Sequence, residues 1–214
     1  HLIPLLLFVG IIILILVNQK NSQVVRQDIP KTFSKYGLDQ MWGKEAKDMF
    51  PAITSPNYET NINKVNFLKD DGVVYTFEQN GIRYIYPAQI LGYHHLVNDT
   101  IGGKPLLISL CLLTETGLVY SRQLDNQVLT FGILGTLYYG NLVMFDNQTN
   151  SYWIQLLGES FNGPLQGKKL KIVAPLTKTF WAKVKNLNNL KVLLPEKDLA
   201  FYDDFYNKYK TSPL

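Results

Sequence analysis

Val73-Val74-Tyr75-Thr76-Phe77-Glu78-Gln79-Asn80-Gly81-Ile82-Arg83-Tyr84-Ile85-Tyr86 is the stretch that decides the fold class. Two runs rich in β-branched and aromatic residues, which suit a pleated and half-buried surface, flank an Asn-Gly pair. Asn-Gly supplies the positive φ angles of a two-residue hairpin turn, so the stretch predicts two antiparallel strands. Upstream, residues 65–68 read as a preceding strand, cut off by Asp70-Asp71-Gly72, and the three together read as a meander. Downstream, residues 106–111, 118–122, 128–133, 142–145 and 152–156 repeat the pattern between Gly, Asn, Asp and Thr clusters. Residues 170–173 and 192–194 add two more strands.

Helical signals are few. Pro87 costs no hydrogen bond at a first helical position, so residues 88–94 have room for a short helical turn. The best soluble helix is 178–185, with Thr177 and Thr179 as caps and Trp181 packed inward. The extended, proline-punctuated stretch 50–56 is expected along the domain surface. Asn98-Asp99-Thr100-Ile101-Gly102-Gly103 reads first as turn chemistry. The tail Phe201-Tyr202-Asp203-Asp204-Phe205-Tyr206 is too aromatic to stand free in water and is expected to pack back on the domain. The fold class is therefore mainly β (α+β): an antiparallel sandwich or partly open barrel with one or two short helices, preceded by an N-terminal transmembrane helix.

That last element rests on Leu2 to Val17, sixteen residues with no charge or strongly polar side chain. Sixteen residues fall slightly short of the roughly 20 needed to cross a bilayer core, and a chain that begins at His1 is expected to continue upstream. No small-residue pair follows the run at the spacing of a signal-peptidase site, which favours an uncleaved anchor. Residues 1–17 are then a transmembrane anchor, 18–39 a polar, basic tether containing Pro30, and 40–214 a single β-rich globular domain. The expected partner is the membrane, and the domain is placed outside the cytoplasm, periplasmic or at the cell surface. A net charge of +4 with dispersed lysines describes solvated surface, so no nucleic-acid partner is expected. The small-molecule or protein partner is left open.

The chemically capable residues crowd between Tyr93 and Gln155. The one cysteine, Cys111, excludes an intramolecular disulfide. It is read either as a small buried hydrophobe at the end of an apolar strand or as a thiolate facing a pocket. His94 and His95 are adjacent, so one of them at most shares a site with Cys111. The candidate catalytic residues are Cys111 and His94, and the candidate metal ligands are His94, His95 and Cys111. That set is too small for zinc and leaves copper or another soft metal as the cofactor to test. Trp153 and Gln155, two apart on a strand, offer a platform and an amide on one face; Asn98, Asp99, Arg122 and Asp146 complete the candidate ligand-binding set. The sequons at Asn98 and Asn147 matter only in a eukaryotic secretory pathway. Serine-hydrolase elbows and phosphate-binding glycine loops are missing from the sequence.

In order along the chain, these residues resemble a bacterial family of unknown function, domain-of-unknown-function family 3179. The matches are Tyr86-Pro87; His94 with Val97-Asn98-Asp99; Cys111 with Leu113; Thr130-Phe131-Gly132; Asp146 with Gln148-Thr149; Ser151, Trp153 and Gln155; and Gly163-Pro164-Leu165 with Gly167. The resemblance covers about residues 50–209. Where the family carries Cys-x-x-Cys-Gly, this chain has Cys111, Thr114 and Glu115. The family's Trp and Glu around its histidine are Tyr93 and His95 here. The resemblance implies a dithiol or metal chemistry in relatives, some of which are thought to use selenocysteine, and a secreted or membrane-anchored location. Thr114 removes the second sulfur, and with it any intramolecular disulfide. The first functional reading is therefore a binding or accessory module with a pocket around His94, Cys111, Asp146, Trp153 and Gln155. The second is a single-thiol or metal-dependent redox protein, and a third is a purely structural interaction protein with the aromatic tail as its contact surface.

Overall fold

The computed structural model describes residues 41–42 and 45–211; the expected anchor at 1–17 and tether at 18–39 lie outside the described residues. In chain order the strands are β1 (Met41–Trp42), β2 (Tyr58–Glu59), β3 (Val73–Gln79), β4 (Ile82–Pro87), β5 (Leu96–Ile101), β6 (Lys104–Cys111), β7 (Thr116–Ser121), β8 (Gln123–Leu124), β9 (Gln127–Val128), β10 (Phe131–Tyr138), β11 (Asn141–Asp146), β12 (Tyr152–Ile154), β13 (Glu159–Asn162), β14 (Ile172–Pro175), β15 (Thr177–Phe180) and β16 (Leu190–Leu193). The helices are α1 (Ala88–His94), α2 (Trp181–Val184) and α3 (Leu199–Thr211). The Asn80-Gly81 hairpin forms as β3 and β4, with Gln79 opposite Ile82 and both turn residues at positive φ.

Three sheets result, in the orders β1-β10-β11-β12-β13, β14-β7-β6-β5 and β15-β3-β4-β16-β2, with β8 and β9 as a small separate ribbon. The cores show how they stack. Leu107, Cys111 and Tyr120 of the β5–β7 sheet share a cluster with Phe131, Ile133, Met144 and Trp153 of the β10–β13 sheet. Leu106, Ile108 and Leu110 share another with Tyr75, Phe77, Tyr84 and Tyr86 of the β3–β4 sheet and with Ala88, Ile90 and Leu91 of α1. The β5–β7 sheet is thus the middle layer, buried on both faces. This explains why Leu106 to Cys111 is a nearly continuous apolar run instead of an alternating one.

The sandwich expectation thus extends to three layers. Among the described residues no barrel closes, and three α-helices form instead of one or two. Pairing is antiparallel except between β4 and β16, which run parallel among the described strands. Residues 65–68 are not a strand: Val65 and Leu68 pack with Trp181 and Val184 on the outer face of the β3–β4 sheet. The stretch 178–185 divides, because Thr177–Phe180 pairs with β3 and only Trp181–Val184 is helical. Its N-cap is Phe180, with no side-chain cap, so Thr177 and Thr179 do not cap it; Trp181 is buried as expected. β-branched threonines on a free sheet edge gain ladder hydrogen bonds that an isolated helix end cannot match.

Asn98-Asp99-Thr100 is strand β5, and the turn is confined to Gly102-Gly103. Ile53 is buried, bridging to β5 through its N–H on Leu96 and its carbonyl on Asn98. The aromatic tail forms α3, whose Tyr202 is buried in the α1 core while Phe205 and Tyr206 pack against it. No described helix is long and apolar enough to cross a membrane.

Candidate functional site

Strand β6 aims its odd-numbered side chains at the β10–β13 sheet, and this puts Ser109 and Cys111 on one face with Gln155. Gln155 follows β12 and is fully buried; its Nε2 donates to Ser109 Oγ (3.0 Å) and to the Thr116 carbonyl (3.2 Å). Asn141, buried at the start of β11, accepts the Leu156 N–H at 2.9 Å through Oδ1. These backbone partners fix both amide orientations, because a carbonyl only accepts and an N–H only donates. Asn141 Nδ2, which has two protons, then faces three acceptors, Gln155 Oε1, Thr116 Oγ1 and Thr114 Oγ1, each at 3.0 Å, so one proton is shared between two of them.

Proton counting gives this row a direction. The Thr116 hydroxyl donates to Gln155 Oε1 (3.2 Å), so the 2.7 Å bond between the two threonines must be donated by Thr114. Ser109 sends its proton on to the Leu118 carbonyl. The two threonine hydroxyls donate inward, and Asn141 Nδ2 donates outward to meet them. The outermost group, the exposed Thr114 hydroxyl, keeps one lone pair free of the row. Tyr139, Leu156 and Leu157, all exposed, lie within two residues of row members in the chain. Tyr139 and Gly140 form the tight turn from β10 to β11 with φ of +47° and +76°. A tyrosine in the left-handed region, where Asn or Gly is favoured, is a strained choice at an exposed tip.

Cys111 lies beside this row but is not part of it. It is 2 % exposed, belongs to the apolar cluster between the sheets, and directs its thiol at the Gly140 carbonyl 3.7 Å away. His94 turns to the other side of the middle sheet. Its Nδ1–H donates to the Pro51 carbonyl (2.6 Å), and Nε2 accepts the Tyr202 hydroxyl (2.7 Å). Burial lowers the pKa of His94 below the usual imidazole range. His95 caps α1 at φ +58° and bonds the Leu110 carbonyl at 3.0 Å through Nδ1, and burial pushes its pKa down to about 4. As folded, His94 has no nitrogen lone pair left for the Cys111 thiol or for a metal. Among the described residues no three His, Cys, Asp or Glu side chains gather as a metal site.

The other candidates sit at the far end of the same strands. Asn141 and Asp146 bound β11, about 17 Å apart at ~3.4 Å per residue. The buried Asp146 carboxylate accepts from the Thr149 N–H (2.6 Å) and hydroxyl (2.9 Å), the Ser151 N–H (3.2 Å) and Trp153 Nε1 (2.9 Å). Ser151 Oγ bonds Thr149 Oγ1 and accepts the Leu165 N–H, which anchors the Gly163-Pro164-Leu165 loop. Trp153 is therefore a buried wall and not an open platform.

Asn98 clasps Phe131 through both backbone groups, Nδ2 to the carbonyl (2.9 Å) and Oδ1 from the N–H (2.8 Å), tying the middle sheet to β10. With both amide atoms engaged, its sequon is closed in the fold. Arg122 donates to the carbonyls of Leu106 (3.0 Å), Leu129 (2.8 Å) and Asp99 (2.9 Å). The Asp99 carboxylate accepts the Tyr58 hydroxyl at 2.7 Å, and burial together with Tyr86 and Asp99 raises the Tyr58 pKa far above the ordinary phenol range.

Of the residues singled out in the sequence, Cys111 and Gln155 come together, with Thr114 beside them. His94 faces another core, and Asn98, Asp99, Arg122 and Asp146 bind backbone or turn groups at the opposite end. Asn141, Thr116, Ser109 and Tyr202 were missed. Asn141 follows a turn glycine and reads as loop punctuation, and the partners of the other three are remote in sequence.

Several of the motif residues thus have physical tasks. Asn98 and Thr130-Phe131-Gly132 meet across two sheets, and the run from Asp146 to Trp153 closes one hairpin. The chain matches no curated protein and no solved structure. The family of proteins of unknown function DUF3179 has a model that matches residues 47–213, and the chain belongs to that family.

Proposed function

We propose that this chain is a membrane-anchored, extracytoplasmic binding or accessory module whose ligand contacts lie at the Thr114 end of the hydroxyl-amide row. One observation carries the reading: two buried amides and two threonine hydroxyls form one hydrogen-bonded row that ends at the exposed Thr114 hydroxyl, whose proton and one lone pair are used within the row and whose other lone pair is not. Such an end suits a neutral ligand that donates a hydrogen bond from a hydroxyl or N–H. Its apolar face would rest on Tyr139, Leu156 and Leu157. The sealed thiol and the occupied His94 nitrogens favour binding over thiol chemistry. The membrane tie is supported by the apolar run from Leu2 to Val17.

Thermal-shift titration of the full chain with neutral polyols and neutral amides tests the site. A compound that raises Tm in proportion to RT ln(1 + [L]/Kd) for the native chain, and not for Thr114→Val, is the expected result. Alkylation of Cys111 that is fast at pH 6, or one copper per chain lost in Cys111→Ser, would replace binding with the single-thiol or metal-dependent redox reading. Protease added to intact cells should digest the domain; its protection there would overturn the extracytoplasmic placement.

A further inference from the structure

We propose that the C-terminal helix α3 is an acid-released latch, held on α1 through a hydrogen bond that only a neutral His94 can accept. The bond polarity follows from its surroundings. The Pro51 carbonyl accepts from His94 Nδ1, so that nitrogen carries the proton and Nε2 presents its lone pair. Tyr202 is fully buried, and its oxygen accepts the backbone N–H of Glu196 (3.3 Å). Because Nε2 carries no proton, the Tyr202 hydroxyl is the donor to it at 2.7 Å. Pro51, Glu196 and α3 therefore meet around one imidazole.

Adding a proton to Nε2 sets two donors against each other. The Tyr202 hydroxyl loses its acceptor inside the core, and the new N–H faces the hydroxyl proton and an oxygen that already accepts the Glu196 N–H. A buried polar group without its partner is unfavourable, and the cheapest relief is separation of the two elements. The charged neighbours of His94 are Glu196, which favours the imidazolium, and Lys197, which opposes it; burial dominates and keeps the ring neutral. His95 follows on α1, turned to the Leu110 carbonyl.

The remaining contacts of α3 are weak one by one. Phe201, Tyr202 and Phe205 meet Tyr93 edge-on at 4.9, 5.8 and 5.2 Å, and Phe205 meets Phe50 at 5.6 Å. Helix α3 pairs with no strand, and no described strand follows it. Phe50 also packs against the cluster that holds Cys111, so release of α3 would loosen one wall of the thiol's enclosure.

Hydrogen exchange of the full chain in detergent, corrected for intrinsic rates and read separately in α3 and in β10–β11 between pH 7.5 and 5, tests the latch. Protection in α3 should fall by up to tenfold per pH unit once the free imidazole titrates, below about 6.5, while β10–β11 stays protected. His94→Gln, whose amide can still donate to Pro51 and accept from Tyr202, should hold α3 closed at both pH values. Tyr202→Phe, which lacks the hydroxyl, should leave α3 less protected at pH 7.5 with no step on acidification. Constant α3 protection in the native chain, equal acid loss in His94→Gln, or loss from β10–β11 at the same pH would each overturn the proposal.

Discussion

The two ends of β11 use the same materials for different ends. At Asp146 a buried carboxylate is surrounded by four donors from its own hairpin, and every acceptor position is taken by a group within seven residues in sequence. At Asn141 a buried amide reaches the β6–β7 turn, β7 and the segment after β12, and the chain of bonds it joins runs out at an exposed hydroxyl. A saturated polar cluster locks a fold, whereas an unfinished one facing water can bind. By that criterion the Asp146 end, with Asn98 and Arg122 similarly engaged, is architecture, and the Thr114 end is where recognition is possible.

The contrast breaks first at Asp146. Asp146→Ala leaves the Trp153 indole N–H, the Ser151 N–H and Thr149 without their acceptor inside the hairpin. Charge-assisted bonds of this kind predict a loss on the order of 4 kcal/mol, read as a lower urea midpoint. A loss under about 1 kcal/mol would mean that the hairpin closes without the carboxylate. Asn141→Ala removes a neutral amide, and water can reach the Thr114 side of the gap. The expected loss is about 1–2 kcal/mol by the same measurement. Reversal of that order would sink the distinction between a saturated end and an open one.

How much of this was legible in the sequence follows from the range of each interaction. The β3–β4 hairpin is local, set by Asn80-Gly81 and nine flanking aromatic or β-branched residues, and it forms as read. Strand β5 was hidden, because Asn98-Asp99-Thr100 has turn composition and its strand state depends on pairing with β6 and on the clasp of Phe131. The extra burial of the middle sheet shows in the nearly continuous apolar run from Leu106 to Leu110 but is not assigned by it, since the third layer is formed by β3, β4 and β16 from distant parts of the chain. At the site, Cys111 stood out for its rarity and Gln155 for its spacing from Trp153. Asn141, the residue that ties Gln155 to the two threonines, carries no local mark. The partition of His94 and Cys111 onto opposite faces rests on the kink at His95, a positive-φ position that sequence does not announce.

Acid should sharpen the same contrast from a third side. His94 and His95 both have pKa values held below the ordinary 6.5 by burial, His95 at about 4, so the folded state prefers both rings neutral. Their contribution is complete above about pH 6.5. It is lost as pH falls toward 4, by at most about 1.4 kcal/mol per pH unit for each ring. Urea midpoints at pH 7.5, 6 and 4.5 should fall in that window, and His95→Gln should flatten the slope. A midpoint that stays level from 7.5 to 4.5 would show that neither ring is held neutral by the fold.

The smallest effect on stability is expected where the effect on function is greatest. Thr114→Val removes one exposed hydroxyl and keeps the branched shape. Asn141 Nδ2 retains Gln155 Oε1 and Thr116 Oγ1, and Thr116 still donates to Gln155, so the inner row survives. The urea midpoint should move by no more than about 0.5 kcal/mol. The free lone pair is gone, however, and with it the group to which a ligand would donate. Any Tm rise that a neutral donor produces in the native chain should then disappear. Asp146→Asn should behave in the opposite way, with a lower starting Tm and an unchanged ligand-induced rise, because its hairpin lies about 17 Å along β11 from the hydroxyl. If Thr114→Val keeps the ligand response while Asp146→Asn loses it, recognition belongs to the Asp146 end, and the saturated cluster is the site after all.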